Sequence, residues 1–291
     1  MAQISMVKKS FRPLIKHEKK IHNRLISTAT AVGFFLLTVL SAIMVYAGGR
    51  NPSAVTPFRS GESMVFRIYY HSMLTGRVTA GYGTLNLMRE HSKSGNGPLL
   101  RAVFSGGTTN LFSLFYKVES RFESFFDENT LKPTLFIRRS REGRHIKDDD
   151  IWFDYSNLQA RSRTAITPIT PEVRDLFTVF YYARSIPLDG VEDGQIFHLP
   201  YFIDDSTYNA KMVFVGRETV NTALGQVKCL KIKPMVVVGD VFTDAYPMIL
   251  YLSDDKNRVP VLIQSDVQIG SLKIELIQYS GLANPFSALL D

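Results

Sequence analysis

The sequence predicts a mostly β fold: a single antiparallel sheet, curled or partly closed into a barrel, that wraps one amphipathic helix and is preceded by an N-terminal membrane helix. Three observations predict this class. About a dozen runs alternate apolar and polar side chains between turns rich in Gly and Asp, and an open sheet rarely holds that many strands without curling. One stretch has helical periodicity, and an uncharged apolar segment lies near the N-terminus.

The N-terminal region holds most of the net charge of +7. Residues 1–25 contain seven Lys or Arg and a single acidic residue, Glu18, so this segment is predicted to be a basic cytoplasmic tail. The rest of the chain is close to neutral and lacks the basic footprint that phosphate binding needs. We therefore expect no nucleic-acid partner.

The segment from Ile26 to Ala47 is predicted to enter the membrane, because it carries no charge and has the length that crosses a bilayer core. The basic residues before it keep the N-terminus in the cytoplasm, which places the following domain in the periplasm. Val45 and Ala47 fit a signal peptidase site, whereas the long apolar run fits an uncleaved anchor. Two localisations stay open: inner-membrane anchoring, or release into the periplasm after cleavage near Ala47.

The remaining chain is divided into a linker at residues 48–57, a β-rich periplasmic domain at 58–282 and a C-terminal tail at 283–291. The β signal is clearest after Tyr116, where apolar and charged side chains alternate. The predicted strands are Met64–Tyr70, Gly76–Leu87, Leu99–Phe104, Tyr116–Phe126, Leu131–Arg139, His145–Phe153, Ile196–Ile203, Lys211–Asn221, Gln226–Val238, Pro247–Ser253, Val259–Ile269 and Ser271–Tyr279.

The helix is predicted from Thr170 to Arg184, with Thr170 as the N-cap and Pro171 in the first turn. Its apolar side chains cover more than half of the circumference, so it needs cover on two sides. It should end near Ser185, because Pro187 disfavours helical backbone at the residue before it. Asp175 and Arg184 are too far apart to pair within the helix, and Arg184 needs a carboxylate or carbonyl partner elsewhere.

The order of several short motifs resembles the exported bacterial family catalogued as domain of unknown function 3108. They are Gly61-Glu62, Lys132-Pro133, Phe153-Asp154, Asp175, Tyr181 to Arg184, Gly216 to Val220, Gly225 to Cys229, Pro234, Leu252 to Asp255, Arg258 to Pro260 and Gly270-Ser271. The resemblance implies an antiparallel, barrel-like periplasmic fold. It implies no established activity and no catalytic residue.

The sequence contains no motif for a catalytic, cofactor or metal site. There is no nucleophile elbow, and the histidines have no metal-ligand spacing, so we predict no cofactor and no metal. The acidic run Asp148 to Asp150 is interpreted as a solvated turn rather than a calcium loop. The single cysteine, Cys229, is interpreted as an apolar core residue. These observations favour a protein that is not an enzyme.

Three hypotheses for function follow. The first is non-enzymatic carriage of a lipid or acyl chain between sheet and helix, with a lining of Phe122, Phe126, Phe177, Phe180 and Tyr181. The same residues would also suit a solid core. The second is a structural or assembly factor that docks an unidentified protein through a strand edge or surface. The third is a hydrolase, which a polar cleft with two carboxylates would favour.

Overall fold

The computed structural model describes residues 56–73, 76–90, 98–234, 248–266 and 270–290. These residues form one large sheet of 14 strands and two helices. Each neighbouring pair of strands is antiparallel, which confirms the predicted mostly β, antiparallel class. The predicted membrane segment Ile26 to Ala47 lies outside the described residues, and within them no helix has the length and apolarity to span a bilayer.

Strands that are neighbours along the chain pair with each other, except for the two strands that the second helix separates. The helices are α1 (Asn110–Ser113) and α2 (Leu176–Ser185). The strands are β1 (Ser63–Ser72), β2 (Gly76–Glu90), β3 (Leu99–Thr108), β4 (Val118–Asp127), β5 (Pro133–Glu142), β6 (His145–Asp154), β7 (Gln159–Arg161), β8 (Ile166–Pro168), β9 (Ile196–Ile203), β10 (Ser206–Thr222), β11 (Gly225–Pro234), β12 (Met248–Ser253), β13 (Pro260–Asp266) and β14 (Ser271–Ser280).

The sheet joins two meanders through its first and last strands. Its order is β8-β7-β6-β5-β4-β3-β2-β1-β14-β13-β12-β11-β10-β9, so β1 pairs with β14 and the edges are β8 and β9. The two edges are not joined by a strand ladder among the described strands. Side chains connect them instead, because Thr167 Oγ1 donates to the Asp205 carbonyl at 3.2 Å and Arg138 pairs with Asp204 at the β9–β10 turn.

Most predicted strands are present, with small shifts at their ends. β9 has the predicted bounds, and β1, β2, β12 and β14 differ by a few residues at most. The prediction missed the short strands β7 and β8, the one-turn helix α1 and the first five residues of β10. The predicted ends of two strands, at residues 235–238 and 267–269, lie outside the described residues.

The predicted start of the main helix was wrong by about one and a half turns. The helix begins at Leu176, and Asp175 rather than Thr170 is the N-cap. The backbone of Arg174 is extended and bonded to β9: its N–H donates to the Pro200 carbonyl at 3.2 Å, and its carbonyl accepts from Phe202 N at 2.8 Å. That pairing cannot coexist with helical backbone at Arg174. The predicted end at Ser185 is confirmed.

Helix α2 is enclosed on nearly all sides, as its wide apolar face predicts. Among its ten residues only Tyr182 and Ser185 are not fully buried. β4 supplies part of the enclosing face, and its Val118, Phe122 and Phe126 are buried while Glu119 and Arg121 face solvent. The alternation predicted for this strand is therefore confirmed, and it positions the interior described below.

The chain enters and leaves the sheet at one closely packed point. Gly61 lies just before β1 and Gly281 just after β14, and the backbone at Gly281 approaches the Gly61 carbonyl so closely that no Cβ would fit between them. Arg59 Nε donates to the Gly281 carbonyl at 3.2 Å. The segment after β14 then returns along β11, where Lys228 N donates to the Ala288 carbonyl at 2.8 Å. The residues assigned to a C-terminal tail thus pack on the sheet.

Replacing Gly281 by Ala should destabilise the domain more than the same change at Gly190. Both glycines have positive φ, +64° and +74°, so each alanine carries a similar backbone strain of about 1 kcal/mol. A Cβ at residue 281 would also overlap the Gly61 carbonyl, whereas a Cβ at residue 190 meets nothing within 4 Å. We expect G281A to lose at least about 1 kcal/mol more in urea unfolding. Equal losses would contradict this close approach.

Candidate functional site

The interior between α2 and the sheet is an aromatic layer, and it contains all five residues predicted to line a ligand site. Phe122 and Phe126 come from β4, and Phe177, Phe180 and Tyr181 come from α2. All five are at most 3% exposed. Ring centroids are 6.5 Å apart for Phe122 and Phe177, 5.7 Å for Phe126 and Tyr181, and 5.0 Å for Phe180 and Tyr181. The structure therefore brings the predicted residues together.

Two further rings complete this layer and were not singled out from the sequence. Phe136 on β5 lies 6.4 Å from Phe122 and 6.3 Å from Phe177 between ring centroids. Phe58 meets Tyr181 edge-on at 4.8 Å. The inward position of Phe136 could have been inferred from the alternation of its strand. Phe58 could not, because it stands beside the predicted linker without a periodic pattern.

The hydroxyl of Tyr181 is the one polar group of this aromatic layer. Tyr181 is fully buried, and its hydroxyl has no hydrogen-bond partner within the described part of the chain. Burial, followed by the nearby charge of Glu62, raises its pKa well above the ordinary value, so the hydroxyl keeps its proton and remains a donor. A buried hydroxyl without a partner costs about 1–3 kcal/mol, and an acceptor placed there would recover that cost.

The N-terminal end of α2 is held by a buried carboxylate. Asp175 Oδ1 accepts from Phe177 N and Thr178 N at 2.9 and 2.8 Å, and the Thr178 hydroxyl completes a capping box. Asp175 Oδ2 accepts from the Ser124 hydroxyl of β4 at 2.5 Å. Burial raises the pKa of Asp175 to about 6, although these hydrogen bonds oppose the shift. Asp175 thus joins the start of α2 to the sheet.

The C-terminal end of α2 is held by a buried ion pair. Arg184 donates to both oxygens of Glu62, at 2.6 and 2.7 Å, and both side chains are 0% exposed. Its other donors go to the carbonyls of Asn257 at 3.0 Å and Pro57 at 2.9 Å. Burial acts to lower the pKa of Arg184, but Glu62 raises it above its usual value. The predicted need for a carboxylate or carbonyl partner is confirmed.

A polar cleft of about 400 Å³ lies outside this end of the helix. Its wall includes two adjacent carboxylates, Asp254 and Asp255, the pattern that would favour a hydrolase. Asp254 pairs with Arg217 at 3.2 Å, and Asp255 accepts from Ser253, from the N–H groups of the following turn and from Ala288 N. Both carboxylates thus already hold the fold, and the geometry assigns them a structural role.

The other predicted features with possible chemistry are structural as well. The interpretation of the acidic run as a turn was wrong, because Asp148 to Asp150 lie within β6. There Asp149 pairs with Arg138 and Asp150 with Arg139. Cys229 is fully buried, and burial raises the pKa of its thiol to about 12, so the predicted core role is confirmed. Among the residues that the structure describes, no three His, Cys, Asp or Glu side chains are grouped to hold a metal ion.

A comparison of the sequence with known families identifies the domain. The family described as "Protein of unknown function (DUF3108)" matches residues 65–277, which cover β1 to β14 almost completely. The chain belongs to the DUF3108 family. This confirms the resemblance drawn from the order of its motifs. No curated protein matches the chain.

The comparison with solved structures found similar proteins at low sequence identity. A β-barrel-like protein of domain of unknown function DUF1849 from Brucella abortus is 9% identical, with a TM-score of 0.51 over 77% of this chain and 99% of that chain. A Bacteroides fragilis protein with a YmcC-like fold is 12% identical, with a TM-score of 0.34 over 78% and 98%. The first comparison shows that the DUF3108 domain is similar in fold to a β-barrel-like protein.

Breaking the buried ion pair from one side should destabilise the domain strongly. Glu62→Gln leaves the buried charge of Arg184 without a counter-ion, and we expect about 3–5 kcal/mol lower unfolding free energy in urea. The double variant Glu62→Gln/Arg184→Met removes that charge as well, so its loss should be smaller than the sum of the two single losses. Lys117→Met, at an exposed pair, should cost less than about 1 kcal/mol. Additive losses at residues 62 and 184 would refute the coupling.

The buried carboxyl of Asp175 should make stability depend on pH in the acidic range. Its pKa is about 6 in the fold against an ordinary 3.8. The folded state therefore keeps a proton that the unfolded chain has lost, and this contribution declines as the pH rises from about 4 through about 6. Asp175→Asn, which can still cap α2, should flatten the slope by up to about 1.4 kcal/mol per pH unit.

A second variant tests the cause of that slope. Ser124→Ala removes a hydrogen bond that lowers the pKa of Asp175, so the fall in stability should extend to higher pH. The measurement is the urea midpoint between pH 4 and 8. An unchanged slope in D175N would show that Asp175 does not titrate there.

Proposed function

We propose that this DUF3108 protein is a non-enzymatic protein of the cell envelope that holds the acyl chain of a lipid between α2 and the inner face of its sheet. The observation that carries the proposal is the buried hydroxyl of Tyr181, which lacks a partner inside an otherwise aromatic layer. A lipid ester or carboxyl oxygen is the acceptor that this hydroxyl could bind, while the chain below it would contact the surrounding rings.

The proposed ligand would replace contacts that the rings now make with one another. Phe122 packs against Phe177 and Phe126 packs against Tyr181, so an acyl chain enters only if these rings separate. Each methylene transferred from water to this layer would contribute about 0.8 kcal/mol. This gain grows with chain length and would act against the loss of the contacts between the rings.

The proposed entrance lies between β8 and β9, the two edge strands of the sheet. Opening it breaks side-chain contacts such as Thr167 to Asp205 and the backbone bonds of Arg174 to β9, but no continuous ladder between described strands. Arg174 immediately precedes the cap of α2, so its release would also free the helix that covers the layer. We propose that these contacts complete a barrel-like enclosure that can open on this side.

The proposed location is the periplasmic side of the inner membrane. Support comes from the basic residues 1–25 and the apolar segment Ile26 to Ala47, which together predict an outward-facing domain. The alternatives of an uncleaved anchor and of cleavage near Ala47 are both compatible with lipid carriage.

A second candidate function is docking of a partner protein on the outer face of the sheet. By strand register, Phe125, Leu135 and Trp152 lie side by side on β4, β5 and β6, with Ile166 two strands further on β8. Trp152 and Ile166 are each 56% exposed. Exposed apolar groups in a row are common at protein interfaces. By contrast, the β9 edge is partly occupied by Arg174.

The carriage proposal is tested by photolabelling the full-length protein in membrane vesicles with a diazirine-bearing fatty acid and mapping the adducts by mass spectrometry. Adducts are expected in the peptides that contain Phe122 to Phe126 and Phe177 to Tyr181. Tyr181→Phe keeps the ring but removes the donor, so labelling of these peptides should fall about fivefold, the effect of one neutral hydrogen bond.

The controls separate loss of binding from loss of fold. Tyr181→Phe should melt at the same or a higher temperature, because it removes a buried group without a partner. Tyr82→Phe, at a half-exposed ring, should label like the parent protein. Adducts confined to other regions would exclude carriage, and a stoichiometric crosslink from position 152 to one protein would favour docking.

A further inference from the structure

A protruding apolar tip at one end of the sheet has no role in the interior site. It consists of Met73 at the β1–β2 hairpin and Leu111, Leu114 and Phe115 in the β3–β4 connection, and we call these four residues the apical tip. Their exposed fractions are 102%, 65%, 79% and 80%. β1 and β3 run in the same direction, so both connections leave the sheet at the same end.

The connection that carries this tip is firmly structured. The Thr109 hydroxyl caps α1 by accepting from Phe112 N and donates to the Thr79 carbonyl, and Thr109 N donates to the Ala80 carbonyl at 2.9 Å. Phe112 turns inward, 6.3 Å from the ring of Tyr70. This inward residue and the backbone bonds hold Leu111, Leu114 and Phe115 outward. Their exposure is thus imposed by the fold.

Basic side chains surround the apical tip. Lys117 lies two residues after Phe115, and Arg77 is the second residue of β2. Gly143 N donates to the Lys117 carbonyl at 2.8 Å, which brings Arg141 at the end of β5 and Arg144 in the β5–β6 turn alongside. All four cationic residues are exposed. Four acidic residues lie nearby: Glu119 pairs with Lys117, Glu142 is only partly exposed, Glu275 lies 4.0 Å from Arg77, and Asp266 ends β13 on the same side of the sheet.

We propose that the apical tip inserts into the surface of a lipid bilayer that contains anionic lipids. The tip is convex and lies on two adjacent loops, so it suits the headgroup layer better than the groove of a partner protein. Its apolar side chains would leave water while the basic residues around it meet lipid phosphates. This inference stands independently of lipid carriage, because it concerns the outside of the fold.

The test measures the depth of a fluorophore in the membrane. Full-length protein is reconstituted in vesicles of phosphatidylglycerol and phosphatidylethanolamine, with a nitrobenzoxadiazole label on Leu111→Cys. Asn129→Cys, in an exposed turn at the opposite end of the sheet, is the matched control. Cys229 is buried, and burial raises the pKa of its thiol, so it should stay unlabelled. Brominated lipids should quench the label at residue 111 and leave the label at residue 129 unquenched.

A second variant tests whether the tip itself drives the insertion. Leu114→Asp/Phe115→Asp changes only exposed residues, so the fold should persist, and quenching at residue 111 should fall about tenfold because carboxylates resist entry into the bilayer. Replacing phosphatidylglycerol by phosphatidylcholine should also weaken the quenching. Equal quenching at residues 111 and 129, or quenching that survives the double substitution, would overturn the proposal. A proteinaceous crosslink at residue 111 without quenching would overturn it as well.

Discussion

The enclosure of α2 is the constraint on which the rest of the structure depends. A helix at the surface leaves its terminal backbone groups and its charged side chains to water, but α2 is buried around almost its whole circumference. Its first N–H groups and its one arginine must therefore be satisfied by other buried groups. Asp175, which accepts from Ser124 of β4, does this at one end, and Glu62, just before β1, does it at the other end. The two carboxylates fix where the helix begins, where it lies and which strands surround it.

The strands could be predicted from the sequence because each follows from local alternation, whereas the ends of α2 depend on distant partners. Thr170 and Pro171 satisfy the local rules for a helix start, yet the backbone of Arg174 is bound to β9, a contact that no local pattern reveals. Likewise, the need of Arg184 for a partner was clear from its apolar surroundings, but Glu62 lies 122 residues away. β7 has three residues, too few for a periodic signal.

The predicted aromatic lining was found together for a simple physical reason. Phe122 and Phe126 share one face of β4 by strand alternation, and Phe177, Phe180 and Tyr181 share the buried side of α2 by helical spacing. Neither the strand alternation nor the helical spacing predicts that the two faces meet. In this fold they meet because α2 has only the inner face of the sheet to pack against. The sequence could not predict that the Tyr181 hydroxyl lacks a hydrogen-bond partner, because this depends on the position of every group around that oxygen.

That hydroxyl is the point at which the demands of stability and of binding diverge. A phenylalanine at residue 181 would fill the same space, make the same ring contacts with Phe58 and Phe126, and avoid a desolvation cost of about 1–3 kcal/mol. Packing alone therefore gives no reason for tyrosine at this position. The proposed acyl chain would give one, because the hydrogen bond between its acceptor and Tyr181 would form only in the occupied state and would add directly to affinity. A buried donor of this kind would also select lipids with a carbonyl or carboxyl oxygen over plain hydrocarbons, since a hydrocarbon would leave the hydroxyl without a partner.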